Sequence, residues 1–277
     1  KHKMENWQIC EAECLQYLKK NFSDSRYDFE AEGGSDSTKS DILLTKSGIA
    51  IFYIESKMKQ AQCGQFVAFP NTDTNTFEYS KANAYSENIQ STFILDKMAE
   101  DFDKYKNPDT DGIELLMDKG YFYSWICEFY KGKGVKYFII EKEVGSKNLS
   151  QNNFIIFPIE HFHKYFDVTA LYRRKKSGSS NPTEHDYTEI KKAAASEGFA
   201  IKDIYKNGKY VFVKMNAEPI TYKIIGEMHT YQYKPETNGI FKVTKLSNTS
   251  NPNVIFSISL IQDQQERDLE KFRLEFN

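Results

Sequence analysis

At 277 residues, 40% of them hydrophobic and 27% charged, the chain carries enough apolar material for one large globular domain or two small ones. The 37 Lys and Arg against 39 Asp and Glu leave a formal charge of −2, which excludes a global electrostatic pull toward nucleic acid, so any DNA contact has to come from local basic clusters. No apolar run reaches transmembrane length and no stretch reads as a signal peptide, so no membrane association and a cytoplasmic setting are expected.

The spacing predicts a helix over Trp7–Phe22, with Trp7, Cys14, Leu15, Leu18 and Phe22 on one face. Glu11 falls within that stripe and Glu13 nearly opposite. An acid on an apolar stripe is costly unless compensated, so Glu11 either reaches out from the stripe's edge or faces a site that needs it. Cys10 and Cys14 lie one helical turn apart, yet no Cys or His pair follows at zinc-ligand spacing. Together with Cys63 and Cys127 they read as free buried thiols in a reducing compartment.

Tyr27–Glu32 is expected to be a short strand leading into a turn at Gly33-Gly34 and a small polar loop through Thr38. Then come two apolar runs, Ile42–Thr45 and Ile49–Ile54, separated by Lys46-Ser47-Gly48, a hairpin signal. With the turn at Ser47, position 41 falls opposite about 53 or 54, bringing Asp41 near Glu55. Alternation puts Ile51, Tyr53, Glu55 and Lys57 on one face and Phe52 and Ile54 on the other. Two carboxylates suit a hard, oxygen-seeking Mg²⁺, and an adjacent lysine can orient or deprotonate a metal-activated water. Taken by spacing alone, the same trio is an ordinary solvated salt bridge.

The stretch Gly33-Gly34-Ser35-Asp36-Ser37-Thr38-Lys39-Ser40-Asp41-Ile42, followed by Ile54-Glu55-Ser56-Lys57, resembles the PD-(D/E)xK nuclease superfamily, and most of all its type II restriction endonucleases. The resemblance covers about residues 11–66, with Ser40 where the family has Pro. It implies a mixed α/β (α+β) core, a central mixed sheet flanked by helices, and Mg²⁺ as cofactor with no organic one. Asp41 and Glu55 would ligate the metal, with Glu11 as a further metal-linked acid, and Lys57 would activate or position the attacking water. Gln62 or Gln65 would steady the site, Gln62 being preferred, and Glu30 and Glu32 are secondary acidic candidates. Ser35, Ser37 and Lys39 in the preceding loop would meet the phosphate backbone.

Farther on, residues 71–80 read as a polar loop, and a long helix is expected over about Ser86–Lys106. A short helix follows over Ile113–Lys119, ending at Gly120. Aromatic segments Tyr121–Tyr130 and Val135–Ile140 around Lys131-Gly132-Lys133-Gly134 read as a hairpin with a basic tip. Phe154–Ile159 is a core strand, and His161 and His163 read as structural.

Leu171-Tyr172-Arg173-Arg174-Lys175-Lys176-Ser177-Gly178-Ser179 sets four consecutive cations before a small polar loop, with a helix expected over about Glu184–Ser196. Arginine's planar fork matches guanine or phosphate, while lysine supplies backbone attraction. Arg173, Arg174, Lys175, Lys176, Ser177 and Ser179 are therefore the candidate DNA readers, against the plain alternative of a solvated basic strand end. Beyond residue 198 the chain reads as β-rich. Phe199–Tyr205 and Tyr210–Met215 flank an Asn207-Gly208 turn, Ile220–Ile225, Ile240–Leu246 and Val254–Ile261 add strands, and an amphipathic helix closes the chain over Gln262–Phe276.

These expectations assign residues 4–167 to a nuclease core and 168–277 to a β-rich recognition region, the two forming one continuous domain or separate ones. The expected function is Mg²⁺-dependent cleavage of double-stranded DNA at a short specific site, by a homodimer if a palindrome is cut on both strands. Alternatives are a same-fold nuclease for repair or junction resolution, a non-catalytic DNA-binding relative, and a protein-interaction module.

Overall fold

Ser47 and Gly48 both take positive φ, 50° and 77°, the geometry a two-residue type I′ hairpin demands. That turn joins β2 (Ile42–Lys46) to β3 (Ile49–Met58), with Ile42 opposite Ile54. Position 41 thus falls beside Glu55, within a residue of where the sequence reading placed it. The computed structural model describes residues 5–32, 39–83, 87–176, 178–237, 239–247 and 249–277.

β1 (Tyr27–Ala31) pairs antiparallel with β2, and β7 (Val135–Glu141) runs parallel to β3. With β8 (Phe154–Pro158) they form a five-stranded mixed sheet in the order β1-β2-β3-β7-β8. Its strands bury both faces, as the nearly unbroken apolar run Tyr137–Ile140 requires. On one face α1 (Asn6–Phe22) and α7 (Glu266–Arg273) cover Phe29, Leu44, Ile54 and Ile156. On the other, α4 (Lys119–Gly132) and α5 (Phe162–Tyr165) share an aromatic core with Phe138 and Phe157. His161 accepts its structural reading, pairing with the buried Asp268 of α7 at 2.7 Å.

Where a hairpin was expected at Tyr121–Ile140, the chain forms α4. Phe122, Trp125, Ile126 and Tyr130 are all buried, a spacing of three and four residues. Helical period outweighs the strand preference of the aromatics, and the Asp118 side chain caps the first turn through Gly120 N–H. The helix supplies the crossover that a parallel β3–β7 pair needs. Lys131 and Lys133 consequently mark a helix C-terminus and not a hairpin tip. The expected short helix at 113–119 is likewise β6 (Ile113–Glu114) and the α4 cap, and the long helix is divided into α2 (Ile89–Ala99) and α3 (Phe102–Tyr105).

A second five-stranded sheet, β5-β4-β15-β9-β6, contains β4 (Gln60–Asn71), β5 (Thr76–Tyr79), β9 (Phe166–Lys176) and β15 (Ser250–Leu260). The residues read as a loop at 71–80 therefore include a strand. Gly64, at φ 97°, lets β4 approach α4 so closely that a Cβ there would lie 2.6 Å from Trp125.

The chain divides into two units, one of Lys1–Arg173 with Pro252–Asn277, the other of Arg174–Asn251. The sequence reading had offered a boundary at 167/168, with one continuous domain as the alternative. Instead β15 and α7 return to the first unit, because their apolar residues complete its cores. The second unit is an antiparallel sheet, β10-β11-β14-β13-β12, with α6 (Tyr187–Ser196) packed against it. Its strands are β10 (Ile201–Asn207), β11 (Tyr210–Met215), β12 (Tyr222–Ile225), β13 (Thr230–Pro235) and β14 (Ile240–Leu246). Only β13 had no counterpart in the expected strands.

Candidate active site

β3 ends between two cores, and its last residues carry the chemistry. Glu55 is buried, 4% exposed, so its carboxylate must be compensated. Lys57 Nζ donates to Glu55 Oε1 at 2.5 Å and Ser40 Oγ donates to Oε2. Ser40 is itself fully buried and supplies a hydroxyl donor to Glu55. Asp41 meets Ser56, not Glu55 directly: its Oδ2 accepts from Ser56 N–H at 3.0 Å and from Ser56 Oγ at 2.8 Å. Strand register thus brings Asp41, Glu55 and Lys57 together.

Behind Lys57, the ring of Tyr130 lies 5.6 Å from its ammonium, and Cys63 Sγ–H donates to the Tyr130 hydroxyl at 3.8 Å. Burial would strip the proton from Lys57, but Glu55, with Tyr130 and Asp41, holds it well above the usual lysine range. Burial and the Glu55 charge push Asp41 up, against the opposing pull of Lys57 and the Ser56 hydrogen bonds.

Glu11, half-buried on α1, faces this corner. Burial, then the Asp41 charge, raise it to about 7, with Lys57 pulling the other way. Together with Trp7, Cys10, Ser56, Lys57 and Gln62 it lines a cavity of about 270 Å³. Larger hollows of about 570 and 410 Å³ lie elsewhere, the first among surface ion pairs of α2 and α3. The smaller cavity is the one lined by Glu11, an acid with a raised pKa, and by Lys57, which keeps its proton.

The oxygens of Glu11, Asp41 and Glu55 do not close to within 4.8 Å of one another. Mg²⁺ is held through one or two carboxylates plus waters, so the all-oxygen pair Asp41 and Glu55 fits it without a third protein ligand. Burial and neighbouring carboxylates hold Asp41 and Glu11 above their ordinary range.

The other candidates are distributed as follows. Gln62 lines the cavity and donates to Gln65 Oε1 at 2.9 Å, whereas Gln65 is not among the lining residues. Glu30 is exposed on β1, and Glu32 pairs with Lys39 at 2.5 Å. Glu13, expected to point away from the buried face, is buried and accepts from Gly145 N–H at 2.8 Å, a backbone partner that no helical pattern could reveal. Ser35, Ser37 and Ser177 lie outside the described residues.

The basic run belongs to β9, a strand of the second sheet, where alternation divides it. Arg174 and Lys176 are exposed and Arg173 and Lys175 half-buried. Arg174 Nη1 donates to Ser250 O at 3.1 Å, while the buried Arg173 Nε has no hydrogen-bond partner. Ser179 follows in an exposed segment.

Sequence reasoning missed Ser40 and Ser56 as donors, although both lie inside the motif and carry hydroxyls beside its acids. It also missed Tyr130 and Cys63, for which no local signal exists because they come from α4 and β4.

No protein-family model matches the chain, and no curated protein matches it. Among solved structures it is similar to HhaI endonuclease in complex with DNA, at 37% identity over 98% of this chain and 99% of that one, with a TM-score of 0.81.

Proposed function

Because this chain belongs to the family of the HhaI endonuclease, a type II restriction enzyme, we propose that it cuts double-stranded DNA at a specific site by the chemistry of the PD-(D/E)xK nucleases. Restriction endonuclease activity rests on a likeness that runs over nearly the whole chain and includes the second unit. Its assignment to the β3 corner is supported above all by one arrangement: Asp41 and Glu55 come together at the end of β3 beside Lys57, which keeps its proton.

Asp41 and Glu55 hold Mg²⁺ in this reading. When bound, Mg²⁺ polarises the scissile phosphate and lowers the pKa of a water. Ser56 fixes the Asp41 carboxylate and Ser40 fixes Glu55, so both are aimed before substrate arrives. Lys57 keeps its proton and acts as a donor, orienting the attacking water and stabilising charge that develops on the phosphate. Gln62, at the cavity wall, donates to the same phosphate, and Glu11 adds negative charge toward the metal. Arg173 or Arg174 reads a base edge, and Lys175, Lys176, Lys39 and the serines Ser35, Ser37, Ser177 and Ser179 contact the backbone.

Two strands need two cuts. A homodimer makes them together and a single chain makes them in turn, so accumulation of nicked plasmid separates these modes. The deciding experiment is incubation with plasmid DNA and Mg²⁺, with and without a chelator, followed by sequencing of the ends. Discrete, chelator-sensitive cuts sharing one flanking sequence are expected. Ends without a common sequence would point to a repair or junction nuclease, and intact plasmid to a binding protein.

A further inference from the structure

Cys10 and Cys14 meet a third group that the sequence does not announce. Glu141, the last residue of β7, lies against them, with one ligand atom from each residue within 4.8 Å of the others. All three are buried, at 2%, 0% and 1% exposure. Cys10 Sγ and Cys14 Sγ are 4.0 Å apart. A tetrahedral ion with metal–sulfur bonds of about 2.3 Å holds two sulfurs about 3.8 Å apart, so α1 already presents them at nearly that spacing.

The carboxylate supplies the independent sign. Glu141 Oε1 takes a long hydrogen bond from Asn153 Nδ2 at 3.4 Å, while Oε2 is buried with no hydrogen-bond partner. No Lys, Arg or His forms a salt bridge with Glu141 among the described residues, and burial together with the neighbouring acid Glu13, which itself accepts from Gly145 N–H at 2.8 Å, pushes Glu141 up to about 9. A buried carboxylate with one unpartnered oxygen, set beside two thiols, is a donor set that needs either a cation or a proton shared with Glu13.

We propose that Cys10, Cys14 and Glu141 form a site for a thiophilic divalent cation, Zn²⁺, separate from the oxygen ligands Asp41 and Glu55. Sulfur ligands select Zn²⁺ over Mg²⁺, so the two sites sort their ions by softness. Three protein ligands leave a fourth position, and Cys10 also lines the 270 Å³ cavity, from which a water can fill it. A cation there ties α1 to β7 and fixes the helix that carries Glu11. The cluster of Asp186, Glu189 and His229 in the second unit carries no such proposal. Glu189 is saturated by Met228 N–H, His229 N–H and the Tyr231 hydroxyl, and Asp186 is held by Lys245.

The test uses the full chain, reduced, stripped of metal and titrated with Co²⁺ in excess Mg²⁺, followed by Zn²⁺ competition. One equivalent of Co²⁺ with a thiolate charge-transfer band, displaced by Zn²⁺, is expected. Cys10→Ser should remove most of that band, Glu141→Gln should weaken binding about 10- to 100-fold, and Asp41→Ala should leave both unchanged. Zn²⁺ should also shield the two thiols from alkylation in the wild-type chain, a readout that stands even where a cysteine variant fails to fold. Absence of the thiolate band or of thiol protection would overturn the site and leave a shared proton as the occupant of the gap.

Discussion

Two clusters of carboxylates, one in each unit, are treated in opposite ways by the fold around them. In the second unit, Glu189 accepts from two backbone N–H groups and the Tyr231 hydroxyl. Against the cost of burial, these bonds hold it down at about 2. In the first, Asp41 is pushed up by burial and by Glu55, and Glu11 up to about 7 by burial and Asp41. Proximity of acids and histidine therefore does not by itself mark a reactive site. A carboxylate held low by several donors is structural, and one raised by burial beside its own kind is poised to react.

The largest effect should come from removing that poised set. Asp41→Ala and Lys57→Ala should each lower Mg²⁺-dependent plasmid cleavage by about 10³-fold or more while the thermal melt stays cooperative. Wild-type rates in both would end the contrast between the units. The reverse substitution, Glu189→Gln, should behave as a stability mutant. Losing charge-assisted hydrogen bonds costs about 1–3 kcal/mol, read as a lower melting temperature, with the Mg²⁺ requirement of the folded fraction unchanged. Since Glu189 is held below its ordinary 4.5, its contribution is complete above that pH and is lost as pH falls toward 2. Glu189→Gln should show none of that acid-side loss.

Glu11 sharpens the same contrast more gently and with the opposite sign. In the metal-free chain its proton leaves near pH 7 in place of 4.5, so the folded state holds more protons across that interval and loses stability as pH rises through it. Glu11→Gln should flatten this decline and raise the Mg²⁺ concentration for half-maximal cleavage several-fold. An unaltered metal titration would make Glu11 a bystander.

The smallest effects should separate reading from attraction on β9. Lys176→Ala should weaken all DNA sequences alike and lower the salt slope of binding by about one. Arg174→Ala should instead cost about 1–3 kcal/mol at one base position, scored by cleavage of a randomised-site library. If neither Arg174→Ala nor Arg173→Ala changes the site preference, base reading belongs elsewhere in the chain.

By itself the sequence determined the elements whose information is local. The Ser47-Gly48 turn, the β2–β3 pairing and hence the meeting of Asp41 with the end of β3 were legible, because turn chemistry and a two-residue period fix register over a dozen residues. So were β11 and β14 and the closing helix. Tertiary structure alone decided the rest. Whether Tyr121–Tyr130 became strand or helix depended on what its aromatic face would bury, and the parallel β3–β7 pair needed a crossover there. The return of β15 and α7 to the first unit is a pairing across most of the chain, invisible to any window of sequence. Glu13, Tyr130 and Glu141 owe their surroundings to residues from 67 to 132 positions away, and a side chain's electrostatic state is set by what lies around it in space.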